Sequence, residues 1–212
     1  MKACKKALLL VDLQNDFCPG GSLAVPEGDA VVPVANQLQE VFALVVASKD
    51  WHPRGHISFA SSHPGHSIGE VTEVHHLAQE LWPDHCIQES RGAEFHPQLR
   101  TEKIQKVVYK GSDPAIDSYS AFFDNEHQRS TGLGEYLLVQ GVEDVYIMGL
   151  ATDYCVKYSC QDAVKLGFKV YVIEDGCRGV NLKPGDAVRT LAEMRAEGVQ
   201  VLKSADLVKS SG

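Results

Sequence analysis

Short apolar runs rich in β-branched residues alternate along this chain with stretches in which apolar positions recur every three or four residues. The runs at 7–13, 44–48, 107–109, 145–149, 169–173 and 199–202 are nearly continuous rather than alternating, the pattern of strands buried on both faces of a parallel sheet. The segments 29–42, 132–139, 153–166 and 184–197 carry the helical period. The last of these starts at Pro184, after Lys183, and is closed by Gly198, the Pro-first, Gly-last arrangement of a helix. Strand and helix repeated in this order predict an α/β fold with three layers, αβα, around a six-stranded and mostly parallel sheet.

The segment 51–103 breaks the rhythm. Turn residues and histidines replace periodicity there, and an excursion of that length inside a compact domain is usually functional. No repeat, low-complexity tract or linker marks a boundary, so all 212 residues are expected to form one domain carrying this excursion.

Composition narrows the function classes. The net charge is -8, and the lysines and arginines are scattered, which leaves no basic footprint for nucleic acid. No apolar run approaches the roughly 20 residues of a membrane helix. The apolar stretch after Lys5 and Lys6 ends at Asp12, too early for a signal peptide, and Lys209 to Gly212 carry no address signal, so a cytoplasmic location is the default. The six cysteines (Cys4, Cys18, Cys86, Cys155, Cys160 and Cys177) include no C-x-x-C pair and no compact framework, and are expected to be free thiols.

In open parallel sheets ligands bind beyond the carboxyl ends of the strands. Here the first strand runs into Asp12, the second into Asp50 and His52, the third into Lys110, and the fourth through Gly149 and Ala151 to Cys155 at the start of a helix. Asp12 and Lys110 taken alone make a structural ion pair. Joined by a cysteine near a helix N-terminus they make a nucleophile, with the ammonium and the helix dipole favouring thiolate and Asp12 able to accept the proton. Cys160 falls on a different helix face, and Cys4, Cys18, Cys86 and Cys177 read as small buried hydrophobes.

Eight of the nine histidines fall in the excursion, and only His127 lies outside it. Asp50 and His52 point to the same side of an extended segment, and a distant histidine completes a facial metal set; His85 is the candidate. His56 is a ligand or a partner behind the ligands, whereas His63, His66, His75, His76 and His96 read as solvated loop residues. Such a set suits one divalent ion, zinc, iron or manganese.

Together, Val11-Asp12-Leu13-Gln14-Asn15-Asp16-Phe17, Ser48-Lys49-Asp50-Trp51-His52-Pro53, Trp82-Pro83-Asp84-His85-Cys86, Tyr109-Lys110-Gly111 with Asp117 to Phe122, and Gly149-Leu150-Ala151-Thr152-Asp153-Tyr154-Cys155-Val156 resemble the motifs of the nicotinamidases within the isochorismatase-like cysteine hydrolases. The resemblance spans nearly the whole chain. It implies the isochorismatase-like hydrolase fold, a catalytic triad of Asp12, Lys110 and Cys155, and a metal, zinc foremost, held by Asp50, His52 and His85. It further implies a cis peptide next to Ala151, an oxyanion hole from the Ala151 and Cys155 amides, and a ring pocket formed by Phe17, Trp82 and Tyr119. The implied activity is hydrolysis of nicotinamide to nicotinate and ammonia, feeding NAD salvage. A homo-oligomer is compatible with it.

Three rivals remain on the sequence. A metal-free amidase for carbamoyl or ureido compounds would use the same triad but has no need of Asp50, His52 and His85. An isochorismatase works without the cysteine. A non-catalytic metal-binding or redox protein requires neither Asp12 nor Lys110 at separate strand ends.

Overall fold

The computed structural model describes residues 5–208; Cys4 and the Lys209 to Gly212 tail, read above, lie outside the described residues. Its centre is a six-stranded parallel sheet in the order β5-β2-β1-β6-β7-β8. The strands are β1 (Lys5–Val11), β2 (Leu44–Asp50), β5 (Ile104–Lys110), β6 (Val142–Leu150), β7 (Lys169–Arg178) and β8 (Gln200–Leu202). Consecutive residues Ala7 to Leu10 have no exposed surface, so both faces of β1 are covered.

The cover comes from two groups of helices. α1 (Val31–Leu38) packs on β6 and β7 together with α5 (Ser204–Val208), while α3 (Lys157–Lys165) packs on the same two strands together with α4 (Asp186–Ala196). α2 (Leu133–Val139) leads into β6. Among the described residues no helix is long and apolar enough to cross a membrane.

The chain departs from β1 toward β2 and β5, then returns to lay β6 on the other side of β1. The order therefore reverses between β1 and β6, and a crevice opens at their carboxyl ends. Gly149 lets the two strands approach there: its φ is +131°, and a Cβ would stand 2.1 Å from the Val11 carbonyl oxygen.

The structure changes several expected boundaries. The helix expected over 29–42 is shorter, because Gly28–Ala30 form a single 3-10 turn before α1. The helix expected over 153–166 begins as a π turn, Thr152–Val156. Pro184 stands outside α4, since Gly185 at φ +85° is the capping residue. Within the excursion lies an antiparallel hairpin, β3 (Val71–Val74) and β4 (Leu77–Glu80), that periodicity did not predict. Most of its residues are exposed or half-buried, so no apolar alternation marks it. Its turn residues are His75 and His76, at φ +49° and +68°, where glycine or asparagine is the usual signal.

Candidate active site

Each strand end next to the crevice delivers one polar side chain. Asp12 follows β1 with φ +50° and no exposed surface; its Oδ1 accepts a hydrogen bond from the Ser48 hydroxyl at 2.7 Å. Lys110 ends β5, and its Nζ stands 2.9 Å from Asp12 Oδ2, 3.1 Å from the Ser118 carbonyl oxygen and 3.4 Å from Cys155 Sγ. The same ammonium donates to Asp50 Oδ1. Three side chains nominated from separate strand ends thus meet at one point.

Electrostatics govern this cluster. Burying an ammonium costs several kcal/mol unless it is paired. Burial works against the charge of Lys110, but Asp12 and Asp50 outweigh it and hold its pKa well above the usual lysine value. Burial raises the pKa of Asp12 despite the adjacent ammonium. Asp50 is also buried, yet Lys110 and His52 hold its pKa well below the usual carboxylate range.

Cys155 stands just ahead of α3. It lies inside the π turn and is buried, and burial drives its pKa well above that of a free cysteine, although Lys110 pulls the other way. Burial thus opposes the thiolate that the Lys110 ammonium favours. Attack requires a base to remove its proton, and the Asp12 carboxylate, which meets the same Lys110 ammonium as the sulfur, is placed to act as one.

The Leu150–Ala151 peptide is cis, as the resemblance implied. Ala151 and Cys155 both line the cavity above the cluster, with Phe17, Trp82, Tyr119 and Tyr154. The cavity is narrow, with a volume of about 30 Å³. Trp82 donates its indole N–H to the Tyr119 hydroxyl at 3.1 Å, and the Phe17 ring stands edge-on to His85, with 5.6 Å between centroids.

On the other side of Asp50, its Oδ2 is 3.5 Å from both His52 Nε2 and His85 Nε2, and the donor atoms of the three residues lie within 4.8 Å of one another. The second nitrogens are engaged: His52 Nδ1 donates to the Gly111 carbonyl at 2.9 Å and His85 Nδ1 to that of Pro83 at 2.8 Å. A carbonyl only accepts, so Nδ1 carries a proton in each ring and Nε2 is left for a ligand, the usual second partner of metal-binding histidines. Two carboxylates against one ammonium also leave the pocket short of positive charge. The residues therefore fit a divalent ion.

His56 is buried, with its ring 4.2 Å from that of His52. Its Nδ1 is 2.7 Å from the Ser58 hydroxyl, outside the Asp50, His52 and His85 grouping. Burial, with His52 adding to it, lowers its pKa to about 4. The other excursion histidines, His63, His66, His75, His76 and His96, are half-buried or exposed. The five described cysteines are free and buried.

Two supports were missed by the sequence reading. Gln14 accepts from the Asp50 amide and donates to the Asp50 carbonyl, both at 2.8 Å, fixing the backbone from which the carboxylate projects. Ser48, which orients Asp12, is a fully buried polar residue of β2. Gln14 had a visible signal, being a polar residue three positions beyond the end of β1, but its partner lies 36 residues away.

A model of the isochorismatase domain matches residues 6–206. The nicotinamidase of Escherichia coli K12 is 50% identical over 211 residues, covering 98% of this chain and 99% of the relative. A solved nicotinamidase/pyrazinamidase from Acinetobacter baumanii superposes with a TM-score of 0.93 at 46% identity, covering 98% of this chain and 100% of the other. The pyrazinamidase of Pyrococcus horikoshii, solved in complex with zinc, superposes with a TM-score of 0.77 at 38% identity, covering 94% and 99%.

Proposed function

The chain belongs to the isochorismatase family, and we infer from its site that it is a nicotinamidase, an amidohydrolase converting nicotinamide to nicotinate and ammonia and so supplying NAD salvage. The observation that carries the reading is the shared cavity. A thiol, a carboxylate and an ammonium meet at its base, and the Asp50, His52 and His85 donors stand in its wall, where a metal-free amidase would have no use for them.

In this mechanism Asp12 takes the thiol proton, and the Cys155 sulfur forms a bond to the carboxamide carbon while the carbonyl π pair moves onto oxygen. The Ala151 and Cys155 amides stabilise that oxyanion. Asp12 returns the proton to nitrogen, the C–N bond breaks, and ammonia leaves a thioester on Cys155. Water then attacks the thioester with Asp12 again as base, the C–S bond breaks, and nicotinate departs as the thiol is restored. Lys110 stays protonated throughout and compensates the negative charge passing between Asp12 and the sulfur. Phe17, Trp82 and Tyr119 hold the ring.

Asp50, His52 and His85 hold a divalent metal. Zinc is our assignment, in keeping with the zinc complex of the Pyrococcus horikoshii relative. Bound there, it would supply an electron-pair acceptor able to orient and polarise the pyridine ring.

Ammonia release from nicotinamide by the purified protein, beside Cys155→Ala and a chelated sample, with a ureido compound as control, tests the reading. Turnover that disappears in Cys155→Ala and falls on chelation is expected. Activity on the ureido compound alone would reassign the enzyme to a sister amidase, and silence on both would remove the catalytic reading.

A further inference from the structure

The loop that carries the nucleophile has two side chains the hydrolytic steps do not use, and each grips a different wall of the cavity. Asp153 accepts from the Val180 amide at 2.9 Å and from the Asn181 amide at 2.7 Å, and Val180 lines the cavity. Tyr154 lines the cavity with its own ring, edge-on to Trp82 at 4.8 Å between centroids and 5.5 Å from Tyr119. Its hydroxyl donates to the carboxylate of Glu80, the last residue of β4. The neighbouring Gln79 donates to Asp117 Oδ2 at 3.0 Å, so this end of the hairpin is fastened to the pocket on both sides.

We propose that Glu80 is a positioning residue that sets the width of the ring pocket through Tyr154, making the hairpin a determinant of which aromatic carboxamides are accepted. The proposal rests on the nicotinamidase reading. A tyrosine ring turns about only two torsions, and a hydrogen bond at its far end restrains the first, which swings the ring through space. The acceptor is charged, which makes that bond stronger than a neutral one. Burial and the Glu80 carboxylate both raise the phenol's pKa, so its proton stays available for donation. Glu80 stands outside the cavity lining and acts on the substrate only by way of the ring it holds. In so small a pocket a modest swing of that ring decides whether one extra methyl fits, a distinction worth about 10- to 200-fold in kcat/KM.

The test compares wild type with Glu80→Ala, Glu80→Gln and Tyr154→Phe on nicotinamide and on a ring-methylated nicotinamide, with kcat and KM measured separately and folding followed by thermal melting. The preference for nicotinamide over the methylated ring is expected to fall about 10-fold in Glu80→Ala and Tyr154→Phe, mainly through KM. Glu80→Gln, which keeps an acceptor, should recover much of the preference. Should Glu80→Ala fail to fold, Tyr154→Phe, which keeps the ring, decides alone. An unchanged preference in the folded variants, or an equal loss of kcat on both substrates, would overturn the inference. A wild-type protein inert toward nicotinamide would instead overturn the parent reading and this one with it.

Discussion

Asp50 and Lys110 are register partners at the ends of the neighbouring parallel strands β2 and β5, and the pair divides the Asp50 carboxylate between two tasks. Oδ1 receives the ammonium, while Oδ2 faces the Nε2 atoms of His52 and His85. One side chain therefore joins the lysine cluster to the metal donors, and a change in either is transmitted to the other through a rigid carboxylate.

Replacement of Lys110 by Met is expected to show both halves of that linkage. Two buried carboxylates would lose their shared partner, which costs about 3–5 kcal/mol when a buried ion pair is broken. Denaturant melts should record the loss, and nicotinamide turnover should vanish with it. A variant as stable as wild type would mean that Asp12 takes up a proton on folding and needs no ammonium.

Asp12→Asn preserves the Ser48 hydrogen-bonding position but removes the base. Because the Cys155 thiol is held well above its ordinary pKa by burial, it should not ionise unaided. A fall in kcat of about 10²–10⁴ is expected, with parallel slowing of alkylation at Cys155 by a small haloacetamide. Alkylation at the wild-type rate would show that the thiol ionises by another route.

Gly111 should be intolerant of a methyl group. Its φ is +63°, and a Cβ would lie 2.3 Å from His52 Cε1, displacing the ring whose Nδ1 that same residue's carbonyl holds. Gly111→Ala is expected to weaken metal binding about 10- to 100-fold, the usual cost of disturbing a partner behind a ligand, in competition against a chelator. Undiminished affinity would exclude His52 from the metal set.

Chelation of the wild-type enzyme should lower kcat and raise KM together, since the metal is assigned to both holding and polarising the ring. Added zinc should restore both. A rise in KM with kcat unchanged would limit the metal to binding.

Asp153→Ala would leave the Val180 and Asn181 amides without their acceptor. A destabilisation of about 2 kcal/mol is expected from unsatisfied buried donors. Denaturant melts measure it, and a change below a few tenths would show that water replaces the carboxylate.

The strands and helices were largely readable because burial on both faces of a parallel sheet writes itself into local composition, as in Leu8, Leu9 and Leu10. The hairpin Val71–Val74 and Leu77–Glu80 was not, since exposed strands with a His75-His76 turn leave neither periodicity nor a turn signal. The burial of Cys155 was not readable for a related reason: helix position is local, whereas desolvation depends on what the fold packs over the sulfur.

By itself, the sequence determined the sequence of elements and the stock of reactive groups at the strand ends, since both follow from near neighbours in the chain. Only the tertiary structure decided how those groups share partners. The clasp of Gln14 on Asp50 spans 36 residues and the contact of Lys110 with Asp50 spans 60, and both exist because β1, β2 and β5 lie side by side in the sheet. No local pattern encodes that order; it is selected by which faces the packed helices can bury at once.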